Sequence, residues 1–114
     1  PTFSLLVKMN GQVLYHGKQH VEKLGEFTGQ WTADQLSALE TEMKKIQFYQ
    51  LSKIYDDSKV TDLPSMYIGY TKGNQLYKIK CRYQYPNELK SLAKWLDSQV
   101  AQTELIINQK IEKQ

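Results

Sequence analysis

The sequence predicts an α+β fold, with one antiparallel sheet of about five strands in βββα-ββα order and two helices packed on one face. Three observations favour this class: strand-like alternation of apolar residues, two apolar stripes at helical spacing, and a turn-forming Gly-Asn or Asn-Gly pair inside each half. The chain has 114 residues, which suits one domain. We expect that domain to span residues 1–107, followed by a frayed polar tail over 108–114.

The first half begins with three predicted strands. Apolar residues alternate over 3–9, and the Asn-Gly pair at 10–11 predicts a type I′ turn into a second strand over 12–16. A third strand is predicted over 20–31. Its apolar residues depart from strict alternation, which indicates a bulge near Gly25.

A helix follows the third strand. Thr32 and Gln35 have the spacing of a capping box, in which each side chain bonds the backbone of the other residue. The predicted helix ends near Gln47. Its buried stripe consists of Leu36, Leu39, Met43 and Ile46.

The second half begins with a polar loop over 56–65 and continues as a hairpin of strands 66–72 and 75–83. Pro86 suits the first turn of the second helix. That helix should bury Leu89, Leu92, Leu96 and Val100 against the same face as the first helix. The other face of the sheet is then partly exposed and is a candidate binding surface.

Composition excludes several functional classes. The formal net charge of +3 is mild, and Lys78, Lys80 and Arg82 alternate on a predicted strand as a solvated face does, so we expect no nucleic-acid partner. No apolar run approaches the roughly 20 residues of a membrane-spanning helix. Cys81, the only cysteine, alternates with core residues and should be a buried, inert thiol.

The sequence contains no catalytic or cofactor motif, so we expect no cofactor and favour a non-enzymatic domain. Tyrosine is frequent, with eight residues, and tyrosines on an exposed sheet face make effective contact surfaces. The candidate binding residues are the tyrosines and loop acids Tyr67, Tyr70, Tyr83, Asp56, Asp57 and Asp62.

An alternative role is open for the acidic residues of the 56–65 loop, which could serve a small enzyme or a metal-binding protein. Asp62 precedes Leu63 and Pro64, and we interpret it as a structural residue that accepts hydrogen bonds from nearby backbone N–H groups or from Thr61. His16 and His20 are interpreted as surface turn residues without a metal.

Several ordered motifs together resemble a known family. They are the opening Pro1-Thr2-Phe3-Ser4-Leu5, the hairpin Asn10-Gly11-x-Val13-x-Tyr15-x-Gly17, Val21 followed by Gly25, Phe48-Tyr49-x-Leu51, Tyr55, and Thr61-Asp62-Leu63-Pro64. In this order they resemble the bacterial domain-of-unknown-function family 6438 of uncharacterised, Bacteroidetes-type exported proteins. The resemblance implies no activity or catalytic residue, and it implies a periplasmic or cell-envelope location with a protein or envelope component as partner.

Overall fold

A computed structural model describes residues 2–21 and 23–107 of the chain. The predicted tail over 108–114 lies outside the described residues. The strands are β1 Thr2–Val7, β2 Gln12–Gln19, β3 Gly25–Gln30, β4 Ile54–Tyr55, β5 Met66–Lys72, β6 Gln75–Cys81 and β7 Ile106–Ile107. The helices are α1 Ala33–Lys45 and α2 Asn87–Ala101, and a short 3-10 turn spans Phe48–Gln50.

The α+β class is confirmed, but the sheet has seven strands and is mixed. Its order is β4-β6-β5-β1-β2-β3-β7. The pairs β1/β5 and β4/β6 are parallel, and the remaining pairs are antiparallel. A parallel pair needs a long crossover, and the segment from α1 to the end of the 56–65 loop provides it between β1–β3 and β5. The prediction of a purely antiparallel sheet was therefore wrong.

The core lies between one face of the sheet and both helices, as predicted. Leu5 pairs with Tyr15 and with Ile68, so these side chains point to the same side of the sheet. They belong to one buried cluster that also contains the helical side chains Leu39, Met43, Leu89, Leu92, Leu96 and Val100. We call the covered side the helix face and the opposite side the open face.

Local signals are confirmed for the first helix and corrected for the first turn. Thr32 and Gln35 form both hydrogen bonds of the capping box. The turn before β2 is not of type I′, because Asn10 does not adopt a positive φ. Instead the Gly11 N–H bonds to the Lys8 carbonyl and Gly11 itself has a φ of +93°, a conformation that glycine adopts without strain.

The third strand is shorter than predicted, and the bulge lies elsewhere. Pairing of β3 with β2 is regular from Gly25 to Gln30. The irregularity of the sheet occurs in the β1/β2 pair, between Thr2 and Phe3. The sequence around Gly25 departs from alternation because the strand begins only there, and not because of an extra residue inside it.

Candidate functional site

Two rows of side chains cross the open face at right angles to the strands. Each member of a row is the register partner of the next, and register partners point to the same side of a sheet. The first, which we call the apolar row, consists of Gly69, Leu6, Leu14, Thr28 and Ile106. The second, the polar row, consists of Lys80, Tyr67, Ser4, His16 and Glu26.

A groove of about 400 Å³ lies along these two rows. Its lining extends from Leu76 and Lys78 on β6 to Thr28 on β3, so it crosses five strands. The volume falls within the range of sites that hold small ligands, and apolar walls with a few polar groups are typical of such sites. The groove therefore has the size and lining of a binding site.

Gly69 shapes the floor of this groove. A Cβ atom at Gly69 would lie 3.0 Å from Leu6 Cδ1 and 3.7 Å from Leu76 Cδ1. The first distance is shorter than ordinary van der Waals contact, so any side chain here would displace Leu6. The glycine thus lets two leucine side chains from strands on either side of β5 approach one another and form a continuous apolar floor.

Two lysines flank Tyr67 at one end of the groove. The ammonium nitrogens of Lys18 and Lys78 lie 5.2 Å and 4.8 Å from the centre of the Tyr67 ring, within the range of cation–π attraction. Lys18 Nζ also donates a hydrogen bond of 2.9 Å to the Ser65 carbonyl. Within residues 2–21 and 23–107, neither ammonium group forms an ion pair with a carboxylate.

The three predicted tyrosines do not lie together. Tyr67 lines the groove on the open face. Tyr70 is buried on the helix face, where its hydroxyl donates a 2.7 Å hydrogen bond to Glu40, and burial together with this carboxylate raises the pKa of the phenol. Tyr83 is half-buried beyond the end of β6, and its backbone N–H bonds to the Tyr55 carbonyl. Only one of the three therefore belongs to the candidate surface.

Asp56 is held by two cations. Its carboxylate lies 2.9 Å from Lys80 Nζ and 2.6 Å from an Arg82 nitrogen. Hydrogen bonds from Lys80 and then Arg82 stabilise the ionised form and lower the pKa of Asp56 to about 2. This carboxylate is already engaged, as part of an ion-paired cluster that joins the loop to β6.

The other two acidic residues of the loop, Asp57 and Asp62, differ in their hydrogen bonding. The Asp57 carboxylate accepts a 2.9 Å hydrogen bond from the Lys59 N–H. Asp62 is exposed with a φ of +64°, and no group in the described part of the chain donates a hydrogen bond to its side chain. The predicted hydrogen bonds of Asp62 are therefore wrong.

The described residues contain no cluster of three or more His, Cys, Asp and Glu side chains that could hold a metal ion.

Arg82 performs the structural role that the sequence assigned to Asp62. Its guanidinium donates hydrogen bonds to the carbonyls of Val60 (2.7 Å) and Leu63 (3.1 Å), in addition to the Asp56 carboxylate. A guanidinium suits this task because it offers five N–H donors in a fixed plane. The sequence does not indicate this role, because Arg82 follows the loop by about twenty residues and alternates with Lys78 and Lys80 as a charged strand face does.

In the polar row a serine, a histidine and a glutamate are neighbours across three strands, although they are far apart in the amino-acid sequence. Ser4 pairs with His16, and His16 pairs with Glu26. No hydrogen bond joins these three side chains in the structure over 2–21 and 23–107. The row offers polar groups that could orient a ligand, without the bonded relay that activates a nucleophile.

Cys81 is buried, as predicted. Only 2% of the residue is exposed, and desolvation raises the pKa of its thiol to about 12. It lies on the helix face, away from the groove. The thiol is therefore not part of the candidate site.

Fold and groove together define a small α+β domain in which helices cover one face of the sheet and leave a groove on the other. Residues 1–100 match the family model described as domain of unknown function DUF6438, and the chain belongs to that family. A search of curated proteins and a search of solved structures each found no match. Among the described residues, no helix is long and apolar enough to cross a membrane.

Proposed function

We propose that this protein is a non-enzymatic binding domain and that its open sheet face is the binding surface. The observation that carries the proposal is the groove of about 400 Å³, which has an apolar floor and a polar row beside it. At one end lie two lysines whose ammonium groups form no ion pair within residues 2–21 and 23–107. The helix face cannot serve in this way, because both helices fill it.

The arrangement of the loop acids favours binding over the alternative of a loop-based enzyme or metal site. Catalysis or metal ligation by the 56–65 loop would use carboxylates that are available to a substrate or a cation. Asp56 instead bonds Lys80 and Arg82, and Asp57 bonds the backbone of its own loop. These contacts support a structural role for Asp56 and Asp57. Asp62 is exposed and unbonded in the described part of the chain, but it belongs to no cluster of three or more metal-ligating side chains there.

The test is a two-dimensional ¹H–¹⁵N NMR titration of the protein with a set of water-soluble aliphatic and aromatic fragments. We expect the amide shifts to change along β1, β2 and β5, around Leu6, Leu14 and Gly69. The substitution Leu14→Gln should remove these changes, because it places a polar amide on the groove floor. Leu24→Gln is the matched control, since Leu24 is 61% exposed and does not line the groove.

Two results would overturn the proposal. One is a set of fragments that perturbs only helix-face or loop residues. The other is equal binding by the Leu14→Gln and parent proteins. Circular dichroism of each variant establishes that a loss of binding is not a loss of folding.

We also propose a location in the cell envelope, which rests on the resemblance given above. Fractionation of cells that express the native gene tests it directly. Recovery of the protein in the periplasmic or membrane fraction supports this location, and recovery in the cytosolic fraction contradicts it.

A further inference from the structure

We infer that the groove binds a single-chain amphiphile with an anionic head group, of the kind represented by a fatty-acid carboxylate. This inference rests on the proposed function of the open face and names the chemistry of its ligand. It follows from the shape of the groove, the composition of its floor and the distribution of charge around it.

The shape of the groove fits one extended hydrocarbon chain. Five strands enclose four inter-strand spacings of about 4.8 Å, so the groove is about 19 Å long. The volume of about 400 Å³ is spread along that length, so the groove is elongated and suits an extended chain better than a compact ligand.

The floor offers apolar contact along this whole length. Leu76, Leu6 and Leu14 follow one another across the sheet, and the Thr28 methyl group continues the line. Ile106 is the next register partner and is 68% exposed, so apolar surface extends beyond the groove at the β7 end. An alkyl chain that lies on this row would cover side chains that are otherwise left to water.

The charges give the ligand a direction. The ammonium groups of Lys78 on β6 and of Lys18, whose side chain extends from β2, lie beside Tyr67 on β5, whereas Glu26 lies at the β3 end. Lys80 and Arg82 share the single Asp56 carboxylate, so this cluster keeps a net positive charge on the β6 side of the sheet and adds to the attraction. An anionic head group is attracted by the two lysines and repelled by Glu26, so the carboxylate binds next to Tyr67 and the tail points towards Ile106.

The first experiment measures affinities by isothermal titration calorimetry for a series of straight-chain carboxylates below their micelle-forming concentrations. Each added methylene should tighten binding about fourfold, as expected for the transfer of one CH₂ group out of water. The gain should stop once the chain fills the groove. Dodecyltrimethylammonium has the opposite charge and an alkyl tail one carbon longer, and it should still bind at least about tenfold more weakly than dodecanoate.

The second experiment uses a matched pair of charge reversals. Lys78→Glu should weaken dodecanoate binding by about fivefold or more, because it replaces an attractive charge with a repulsive one. Lys94→Glu makes the same change at an exposed position of α2, away from the groove, and should leave the affinity within about twofold of the parent. Lys78→Gln removes the charge without reversing it and should give an intermediate loss.

Three outcomes would overturn the inference: equal binding of dodecanoate and dodecyltrimethylammonium, affinity that continues to rise with chain length without a limit, or equal effects of the Lys78 and Lys94 substitutions. The fragment titration separates these failures from failure of the proposed function. If fragments bind the open face while dodecanoate does not, only the ligand class is wrong. If neither binds there, both proposals are wrong.

Discussion

The environment of a single strand position decides the chemistry of the Cys81 side chain. Along β6 the residues alternate between the two faces, and Cys81 points inward next to Met66, its register partner. A thiol reacts as its thiolate, and a pKa of about 12 leaves almost no thiolate at neutral pH. Burial also denies a reagent access to the sulfur.

We therefore expect Cys81 to resist thiol reagents in the native protein. Labelling by an aromatic disulfide reagent at pH 8 should be slow in buffer and should become fast in concentrated urea, where the core is open. The variant Cys81→Ser/Ser91→Cys carries its only thiol at an exposed position of α2 and provides the control for rapid labelling. Equal rates for the native parent and this variant would contradict a buried, inert Cys81.

Residue spacing could have separated the tyrosines that composition grouped together. Tyr67 and Tyr70 are three residues apart on one strand, and an odd separation places them on opposite faces. Met66 and Ile68 are apolar and share the face of Tyr70, so the sequence could have predicted that Tyr70 is covered and Tyr67 is open. The partners of each tyrosine could not be predicted, because Glu40 is contributed by α1 and the lysines by two different strands.

At the level of elements, the 56–65 loop owes its shape to contacts with β6. Lys80 and Arg82 project from the end of this strand and bind Asp56, while Arg82 also bonds two loop carbonyls. Because the folded protein holds Asp56 in its ionised form, the pKa falls from an ordinary 3.8 to about 2. The stability that these contacts contribute is present above about pH 4 and is lost as the pH falls towards 2.

Substitution of Asp56 should consequently have a pH-dependent effect. Asp56→Asn removes the charge that binds Lys80 and Arg82, so the variant should be less stable than the parent at pH 7. The difference should shrink between about pH 4 and pH 2, where the parent also loses this charge by protonation. Urea unfolding curves at pH 7, 4, 3 and 2 measure the free energies of unfolding.

Asp62→Asn is the matched control in the same loop. Asp62 is exposed, and asparagine tolerates its left-handed backbone conformation. We expect the Asp62→Asn variant to have the same free energy of unfolding as the parent at each pH. A constant Asp56→Asn deficit over the whole range, or an Asp62→Asn effect of the same size, would contradict the assignment of the loop contacts.

The helices were predictable from sequence to a greater degree than the sheet. The capping box at Thr32 and the stripe of α1 depend on residues only a few positions apart, and both are observed. The parallel pairing of β1 with β5 joins segments about sixty residues apart, for which no local signal exists. Strands β4 and β7 have two residues each, too few to produce a recognisable alternation.

At the scale of the whole molecule, the two faces of the sheet have separate tasks. The helix face buries the apolar cluster that stabilises the fold, and the open face carries the groove. The pairing register of the strands links the two faces, because a shift of one residue in a strand would exchange the side chains on its two faces. The sequence predicted this division of the two faces, but it did not predict the groove. The groove depends on the order of the strands and on the absence of a side chain at Gly69.

This division predicts that stability and binding can be altered independently. Leu92 is 3% exposed and packs in the helix-face cluster, so Leu92→Ala should lower the free energy of unfolding by about 2–5 kcal/mol while leaving the groove intact. Leu14→Gln, on the open face, should lower the free energy of unfolding by less than about 1 kcal/mol and should abolish the amide shift changes that the fragments cause. Leu24→Ala removes the same atoms as Leu92→Ala from a position that is 61% exposed, and should change stability by less than about 0.5 kcal/mol.

Urea unfolding and the NMR titration, applied to the same three proteins, decide the matter. The expected pattern is low stability with retained binding for Leu92→Ala, and near-parent stability with lost binding for Leu14→Gln. Should Leu92→Ala lose binding under conditions where it is fully folded, the groove would depend on the helix packing behind it. Should Leu14→Gln lose as much stability as Leu92→Ala, the open face would be part of the core, and its role as a free binding surface would have to be abandoned.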